Sequence, residues 1–158
     1  MTNSKKTPFL KRAIDIARQN MASGGGPFGA VIVKDNRIIA ESGNQVTTHN
    51  DPTAHAEIEA IRLAASNTGT FDLSGCTLYA SCEPCPMCLG AIYWARLDAL
   101  YFAGSRDDAA DAGFDDDFIY KEIAQPIEKR KIPASQSLQA EAREVFNQWK
   151  NLEEKTRY

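Results

Sequence analysis

The run CTLYASCEPCPMCLGAIYW (residues 76–94) predicts a strand that is followed directly by a helix. Its first part, CTLYASC, has the composition of a strand, and Pro86 is suited to the first turn of a helix that continues to about Trp94. Pro84 lies between them and disfavours a helical conformation in the residue before it. The break between strand and helix therefore falls inside the sequence SCEPCPMC.

Three cysteines lie at this break, at positions 82, 85 and 88. Cys82 belongs to the end of the strand, whereas Cys85 and Cys88 begin the helix, where their spacing puts both sulfurs on one side. A helix N-terminus also lowers the pKa of a thiol and favours the thiolate that binds metals. Cys76 lies six residues before Cys82 on the strand, and we expect these two to be buried small side chains.

The rest of the sequence predicts further strands and helices. Asp35-Asn36 is suited to a two-residue hairpin turn, and Asp51-Pro52 is typical of the N-cap and first residue of a helix. Strands that alternate with helices after an initial hairpin indicate an α/β layered domain with a mixed sheet. The other predicted helices cover residues 9–21, 53–65, 118–123 and 141–152, and the other predicted strands cover residues 28–33, 37–43 and 99–104.

The composition is that of one globular domain. The chain has 158 residues, 43% of them hydrophobic, and 18 basic against 21 acidic side chains, for a net charge of −3. This balance argues against broad nucleic-acid binding, which requires a basic excess or stripe. No apolar run has the length of a membrane span or of a signal peptide, so we expect a cytoplasmic location, where cysteines stay reduced.

Several kinds of metal site are compatible with the cysteines. A bacterial ferredoxin run would require a fourth cysteine at position 92, which is Ile92, so an iron–sulfur cluster is excluded. A closed structural zinc site needs four protein ligands, and composition alone leaves it open. The available thiols and imidazoles are Cys76, Cys82, Cys85, Cys88, His49 and His55.

The sequence HAE favours an open, catalytic zinc site. Because side chains of a first helical turn lean toward the helix N-terminus, His55 can converge with Cys85 and Cys88 on one point. Three protein ligands with a vacant fourth position are the pattern of a catalytic zinc. Zinc lowers the pKa of a bound water to near 7, and Glu57 is placed to carry its proton.

The combination HAE…PCPMC matches the H-x-E…P-C-x-x-C signature of zinc nucleobase deaminases. The longer runs DPTAHAEIEAIR and TLYASCEPCPMCLGAIYWAR resemble the cytidine deaminase-like superfamily across most of the chain. More narrowly, GGPFGAVIVKD, AGFDDDFIYKEI and a C-terminal tyrosine resemble the bacterial guanine deaminases. The resemblance implies a three-layer α/β/α sandwich around a mixed five-stranded sheet. It further implies one domain over residues 1–158, in a homodimer whose C-terminal segments, from about residue 130, are exchanged.

The activity implied by the resemblance is the hydrolytic deamination of guanine to xanthine and ammonia, a step of purine catabolism. It requires one zinc ion, held by His55, Cys85 and Cys88. Water attacks C2 of the base while Glu57 protonates N3. A proton delivered to the 2-amino group then releases ammonia.

The resemblance also implies the residues that contact the base. Asn44 hydrogen-bonds it, and Asp116 contacts the purine and assists proton transfer. Asp115 or Asp117 then caps the helix that follows, a position that favours aspartate. The remaining implied contacts are the side chains of Phe28, Trp94 and Phe114, the backbone of Ala56, and Tyr158 at the end of the exchanged tail. For Phe28 and Trp94, simple core packing is the alternative.

Three other functions remain open at this point. The first is a related deaminase acting on guanosine, cytosine or an aminotriazine such as ammeline, which shares the metal half of the site. The second is a tRNA adenosine deaminase, against which the acidic balance and AGFDDDF argue. The third is a structural zinc module, which predicts four protein ligands and no need for Glu57.

Overall fold

The computed structural model describes residues 6–158, which form two compact units. The first unit ends at Asp117 and the second is Phe118–Tyr158. The first contains α1 (Thr7–Ala22), β1 (Gly29–Lys34), β2 (Arg37–Gly43), α2 (Val46–His49), α3 (Ala56–Thr68), β3 (Cys76–Cys82), α4 (Pro86–Trp94), β4 (Ala99–Gly104) and α5 (Arg106–Asp111). At the boundary and beyond it come α6 (Asp117–Ala124), a 3-10 helix (Ile127–Lys129) and α7 (Gln139–Asn151).

The strands form a mixed sheet in the order β2-β1-β3-β4. β1 is antiparallel to both of its neighbours, whereas β3 and β4 are parallel. Asp35 and Asn36, with φ values of 49° and 60°, make the tight turn between β1 and β2, which confirms the predicted hairpin.

The expectation of five strands is wrong for the described residues, in which the sheet has four. After β4 the chain turns at once into α5, because Ser105 and Asp108 form a capping box that starts a helix. The residues that follow include aspartates and a glycine, and these residue types are depleted in strands. The α/β class itself is as predicted.

Helices cover both faces of the sheet in three layers. On one face, Ala13 and Ile16 of α1 pack against Val31, Val33 and Tyr79 of β1 and β3. The other face packs against α3 and α4, through a cluster that includes Ile32, Leu78, Ala60 and Ile92. Because β1 is buried on both sides, its sequence GAVIV is continuously apolar rather than alternating.

α1 approaches the start of β1 so closely that only glycine fits at position 29. A Cβ on Gly29 would lie 2.8 Å from the backbone nitrogen of Ala17 and 2.9 Å from the Cβ of Ile16, and would also meet the carbonyl oxygen of Ala13. Gly29 thus sets the spacing between this helix and the sheet.

Gly29→Ala is therefore expected to lower the free energy of unfolding by about 1–3 kcal/mol, since the added methyl group has no space. Urea denaturation followed by circular dichroism measures this change. Gly90→Ala is the matched control, because Gly90 lies within α4 and a Cβ there meets no atom within 4 Å. The control is expected to be neutral or stabilising, since alanine favours a helix over glycine. Equal losses in both variants would contradict the close approach.

The second unit carries many exposed apolar side chains. The helices α6 and α7 were both predicted, and each observed bound differs from the predicted one by at most two residues. The large apolar side chains that are at least 55% exposed in this unit are Ile123, Ile127, Ile132, Leu138, Val145, Phe146 and Tyr158. Among the described residues, no helix is long and apolar enough to cross a membrane.

Candidate metal centre and substrate cavity

His55 and Cys85 occupy the N-cap positions of two different helices. The predicted start of the first helix is wrong by three residues, since α3 begins at Ala56. Asp51 does not cap that helix; its carboxylate accepts hydrogen bonds from the backbone N–H and the hydroxyl of Thr53, at 2.8 and 2.7 Å, and closes a local turn. The start of α4 at Pro86, directly after Cys85, confirms the prediction.

These two helix starts bring three metal-binding side chains together. The Nδ1 atom of His55 lies 3.6 Å from the sulfur of Cys85 and 3.5 Å from that of Cys88. A tetrahedral zinc ion, with bonds near 2.3 Å to sulfur and 2.0–2.1 Å to nitrogen, requires N···S separations of about 3.6 Å. The donor set and its spacing therefore fit zinc.

The two thiols of this cluster are coupled by a hydrogen bond. A hydrogen bond from Cys88, more than any other contact, lowers the pKa of Cys85 to about 4. The same hydrogen bond raises the pKa of Cys88. The bond to Cys85 also raises the pKa of His55, against the effect of burial. Since zinc binds the thiolate, metal binding is expected to release the proton of the hydrogen bond between the thiols.

The other cysteines and His49 lie outside this cluster. Cys76 is buried in the core, and the Cys82 thiol donates to the carbonyl of Ser105 at 3.3 Å. His49 lies 3.8 Å from the carboxylate of Glu59 on the protein surface. In the part of the chain that the structure describes, the cluster comprises His55, Cys85 and Cys88 alone. This is the ligand number of an open site.

Glu57 lies in the first turn of α3, two residues after His55, and is only 8% exposed. Loss of hydration is the main reason why the pKa of its carboxyl group is raised. Its side chain lines the same cavity as His55 and Cys85. A carboxyl group that lies beside metal-binding side chains and faces a cavity can move a proton between water and a bound molecule.

The cavity has a volume of about 580 Å³ and is formed by the first unit. Of the residues predicted to contact the base, Phe28, Asn44, Phe114 and Asp116 line it. The two phenylalanine rings meet edge to face, with centroids 4.9 Å apart. This aromatic pair gives one part of the cavity an apolar surface suited to a flat ring.

Asn44 and Asp116 are two of the polar residues that line this cavity. Asn44 is 8% exposed, and its side-chain oxygen accepts a hydrogen bond from the backbone N–H of Val46 at 3.2 Å. Burial is the main cause that raises the pKa of Asp116, and the negative charge of Cys85 adds to it. The Asp115 carboxylate accepts a hydrogen bond from the backbone N–H of Asp117, the first residue of α6, at 3.0 Å, and the predicted cap by Asp115 or Asp117 stays a prediction.

Three predicted contacts are absent from the cavity lining in the described chain. Ala56 is fully buried in the core against the sheet. Trp94, at the end of α4, is 71% exposed. Tyr158 is 73% exposed and lies near Trp149 and Lys155 in the second unit. The substrate contacts predicted for these residues remain predictions.

Several residues of the cavity were not predicted from the sequence. They include Gly24, Gly25, Gly26, Thr47, Glu83 and Arg106. Glu83 accepts from the backbone N–H of Arg106 at 3.2 Å, which ties the end of β3 to the start of α5. A glycine run before a strand is typical of a loop, but no periodicity indicates which cavity a loop will line.

The match to a family model identifies the class of protein. Residues 3–104 match the cytidine and deoxycytidylate deaminase zinc-binding region, a stretch that includes His55, Glu57, Cys85 and Cys88. The chain therefore belongs to this family of zinc-dependent deaminases.

Three relatives narrow the comparison. Guanine deaminase of Bacillus subtilis is 58% identical over 95% of this chain and 97% of its own. The X-ray structure of that enzyme aligns with 100% of this chain and with 99% of its own chain, with a TM-score of 0.94. A tRNA-specific adenosine deaminase of Agrobacterium fabrum is 44% identical over 66% of this chain and 68% of its own. The structure of a guanine deaminase of Nitrosomonas europaea has a TM-score of 0.66 at 36% identity, over 68% of this chain and 63% of its own.

Proposed function

We propose that this protein is a zinc-dependent guanine deaminase, which hydrolyses guanine to xanthine and ammonia. The observation that carries the proposal is the similarity to a guanine deaminase over nearly the whole chain. That similarity includes the second unit, beyond the zinc-binding region common to the whole family. The tRNA-specific relative is less similar, at 44% identity against 58% for the guanine deaminase.

His55, Cys85 and Cys88 would hold the zinc ion, which would lower the pKa of a bound water molecule to near 7. Glu57 is placed to accept a proton from the attacking water molecule as the water oxygen adds to C2 of guanine. It then delivers the proton to N3 of the base, so that no charge accumulates on the ring. The burial of Glu57 keeps its pKa raised and favours this alternation between proton acceptor and donor.

Asn44 and Asp116 orient the base and complete the proton transfers. The oxygen of the Asn44 side chain is held by Val46, so its NH₂ group is left to donate to the base. Asp116 contacts the amino group that leaves, and its raised pKa supports a role in protonating it. Phe28 and Phe114 pack against the purine ring. Ammonia then departs as the hydroxyl group at C2 loses its proton, which replaces the proton delivered to the amino group, and the 2-oxo group of xanthine remains.

A homodimer with exchanged C-terminal segments belongs to the same proposal. The large apolar side chains exposed in the second unit support it, since a lone chain would leave them in water. In such a dimer, Trp94 and the tail that ends at Tyr158 are proposed to cover the base of one subunit or the other. The four unpaired cysteines support a cytoplasmic location, and the deamination of guanine would make the enzyme part of purine catabolism.

Ammonia release from a panel of substrates tests this function. The purified zinc-loaded protein is expected to deaminate guanine with the highest kcat/KM, ahead of guanosine, cytosine and ammeline. A coupled glutamate dehydrogenase assay measures the ammonia, and chromatography identifies xanthine. No turnover of guanine, or salt-sensitive binding of a tRNA anticodon stem-loop together with its deamination, would overturn the proposal.

A further inference from the structure

Asn20, near the end of α1, joins three chain segments around the cavity without lining it. Its side-chain Nδ2 donates to the carbonyl oxygens of Gly26 and Asn44, both at 2.8 Å. Its Oδ1 accepts from the Nε2 of Gln45 at 3.3 Å. The glycine loop at residues 24–26 and the end of β2 are thereby fixed to one helix. Gly24, Gly25, Gly26 and Asn44 all line the cavity.

The hydrogen bonds define the orientation of both asparagine side chains. Two carbonyl oxygens can face only the NH₂ group of Asn20, because an amide oxygen there would be repelled. The backbone N–H of Val46 can face only the oxygen of Asn44. The NH₂ group of Asn44 makes no hydrogen bond within the described residues, so it is left for a ligand.

Two glycines pack against Asn20 and leave room for its side chain. A Cβ on Gly25 would lie 2.8 Å from the Asn20 Cγ, and one on Gly43 would lie 2.5 Å from the same atom. The backbone carbonyl of Asn20 also accepts from the N–H of Gly25 at 2.9 Å. Asn20 is therefore enclosed by the glycine loop and by the end of β2. Neither segment can shift away from α1 without breaking a hydrogen bond to the Asn20 side chain.

From these contacts we infer that Asn20 is a positioning residue for substrate recognition. It holds the backbone of Asn44 and the glycine loop so that the Asn44 amide and the loop meet the purine base. The inference rests on the proposed function. In this role Asn20 contacts neither the base nor the metal ligands. Substituting Asn20 is therefore expected to weaken binding of the base rather than to slow the chemical step.

Asn20→Asp tests this role, because it keeps the side chain's shape but replaces the NH₂ group by an oxygen that faces two carbonyls. We expect KM for guanine to rise roughly tenfold or more, as for the loss of hydrogen bonds at a binding site, while kcat and zinc content change little. Asn20→Ser, whose hydroxyl can donate one hydrogen bond, is expected to raise KM less. It also provides the measurement if Asn20→Asp does not fold.

A control variant and a double mutant separate positioning from a general structural effect. Gln19→Glu makes the same amide-to-acid change one residue earlier, on an exposed side chain, and is expected to leave KM unchanged. Asn44→Ala keeps the carbonyl that Asn20 binds but removes the amide, so adding Asn20→Asp to it should raise KM by much less than in the native background.

An unchanged KM in both Asn20 variants would overturn the inference, as would full additivity with Asn44→Ala. So would a fall in kcat that matches a loss of folded protein, with KM unaffected. These results differ from failure of the proposed function, in which the native protein itself does not deaminate guanine.

Discussion

Replacing Glu57 by glutamine is expected to lower kcat for guanine by roughly 10²–10⁴-fold, the range of general acid–base catalysis. The amide has the shape of the carboxyl group, but it can neither accept a proton from water nor deliver one to N3. Glu57 is absent from the His55–Cys85–Cys88 cluster, so zinc content and melting temperature are expected to stay near their native values. Steady-state ammonia release, metal analysis and thermal denaturation measure the three quantities.

Glu59→Gln is the matched control for this prediction. Glu59 lies two residues further along α3, where it pairs with Arg62 at 2.9 Å and does not line the cavity. Removing its charge is expected to leave turnover unchanged, because Glu59 lies outside the cavity and a partly exposed ion pair contributes little to stability. A structural zinc module predicts equal behaviour of the two variants. Native turnover in Glu57→Gln would therefore exclude Glu57 as the proton carrier.

The residues that could be placed from the sequence are those whose neighbours restrict the backbone. Pro84 and Pro86 set the end of β3 and the start of α4, and both bounds are confirmed. The same holds for the hairpin at Asp35 and Asn36, residue types that tolerate positive φ. At these positions the local sequence preference and the tertiary structure favour the same backbone conformation.

The start of α3 could not be predicted, because two local structures compete at the same residues. An aspartate before a proline is typical of a helix N-cap, but Asp51 instead closes a turn with Thr53. Tertiary packing decides between them, and the helix begins three residues later. The error is small along the chain, yet it moves His55 from inside a helix to the N-cap, next to Glu57.

The hydrogen bonds that support the cavity could not be predicted from the sequence either. Asn20 follows a helical run and precedes a glycine loop, so its pattern is that of a solvent-facing residue. Its partners, Gly26 and Asn44, are 6 and 24 residues away, and only the sheet brings Asn44 within reach. The number of strands shows the same limit, since the fifth strand was implied by resemblance and no run of residues predicted it.

Cys85→Ser and Cys88→Ser are each expected to lose zinc and all guanine turnover, whereas Cys82→Ser keeps stoichiometric zinc. The first two remove a thiolate from a three-ligand site, and a serine hydroxyl does not ionise to replace it. Cys82 ends a strand and donates to the Ser105 carbonyl at 3.3 Å, a hydrogen bond that a serine can also make. Mass spectrometry of the metal content measures the difference directly.

Cys82→Ser is a demanding control because Cys82 lines the same cavity as His55 and Cys85. Proximity to the site is thus matched, and the variants differ only in whether the thiol converges on the His55 Nδ1 atom. Adding a chelator to the native protein is expected to reproduce the two ligand variants, since metal-free protein lacks the activated water. If Cys82→Ser also loses the metal, the proline at position 84 does not divide the three cysteines by role, and the open three-ligand site is wrong.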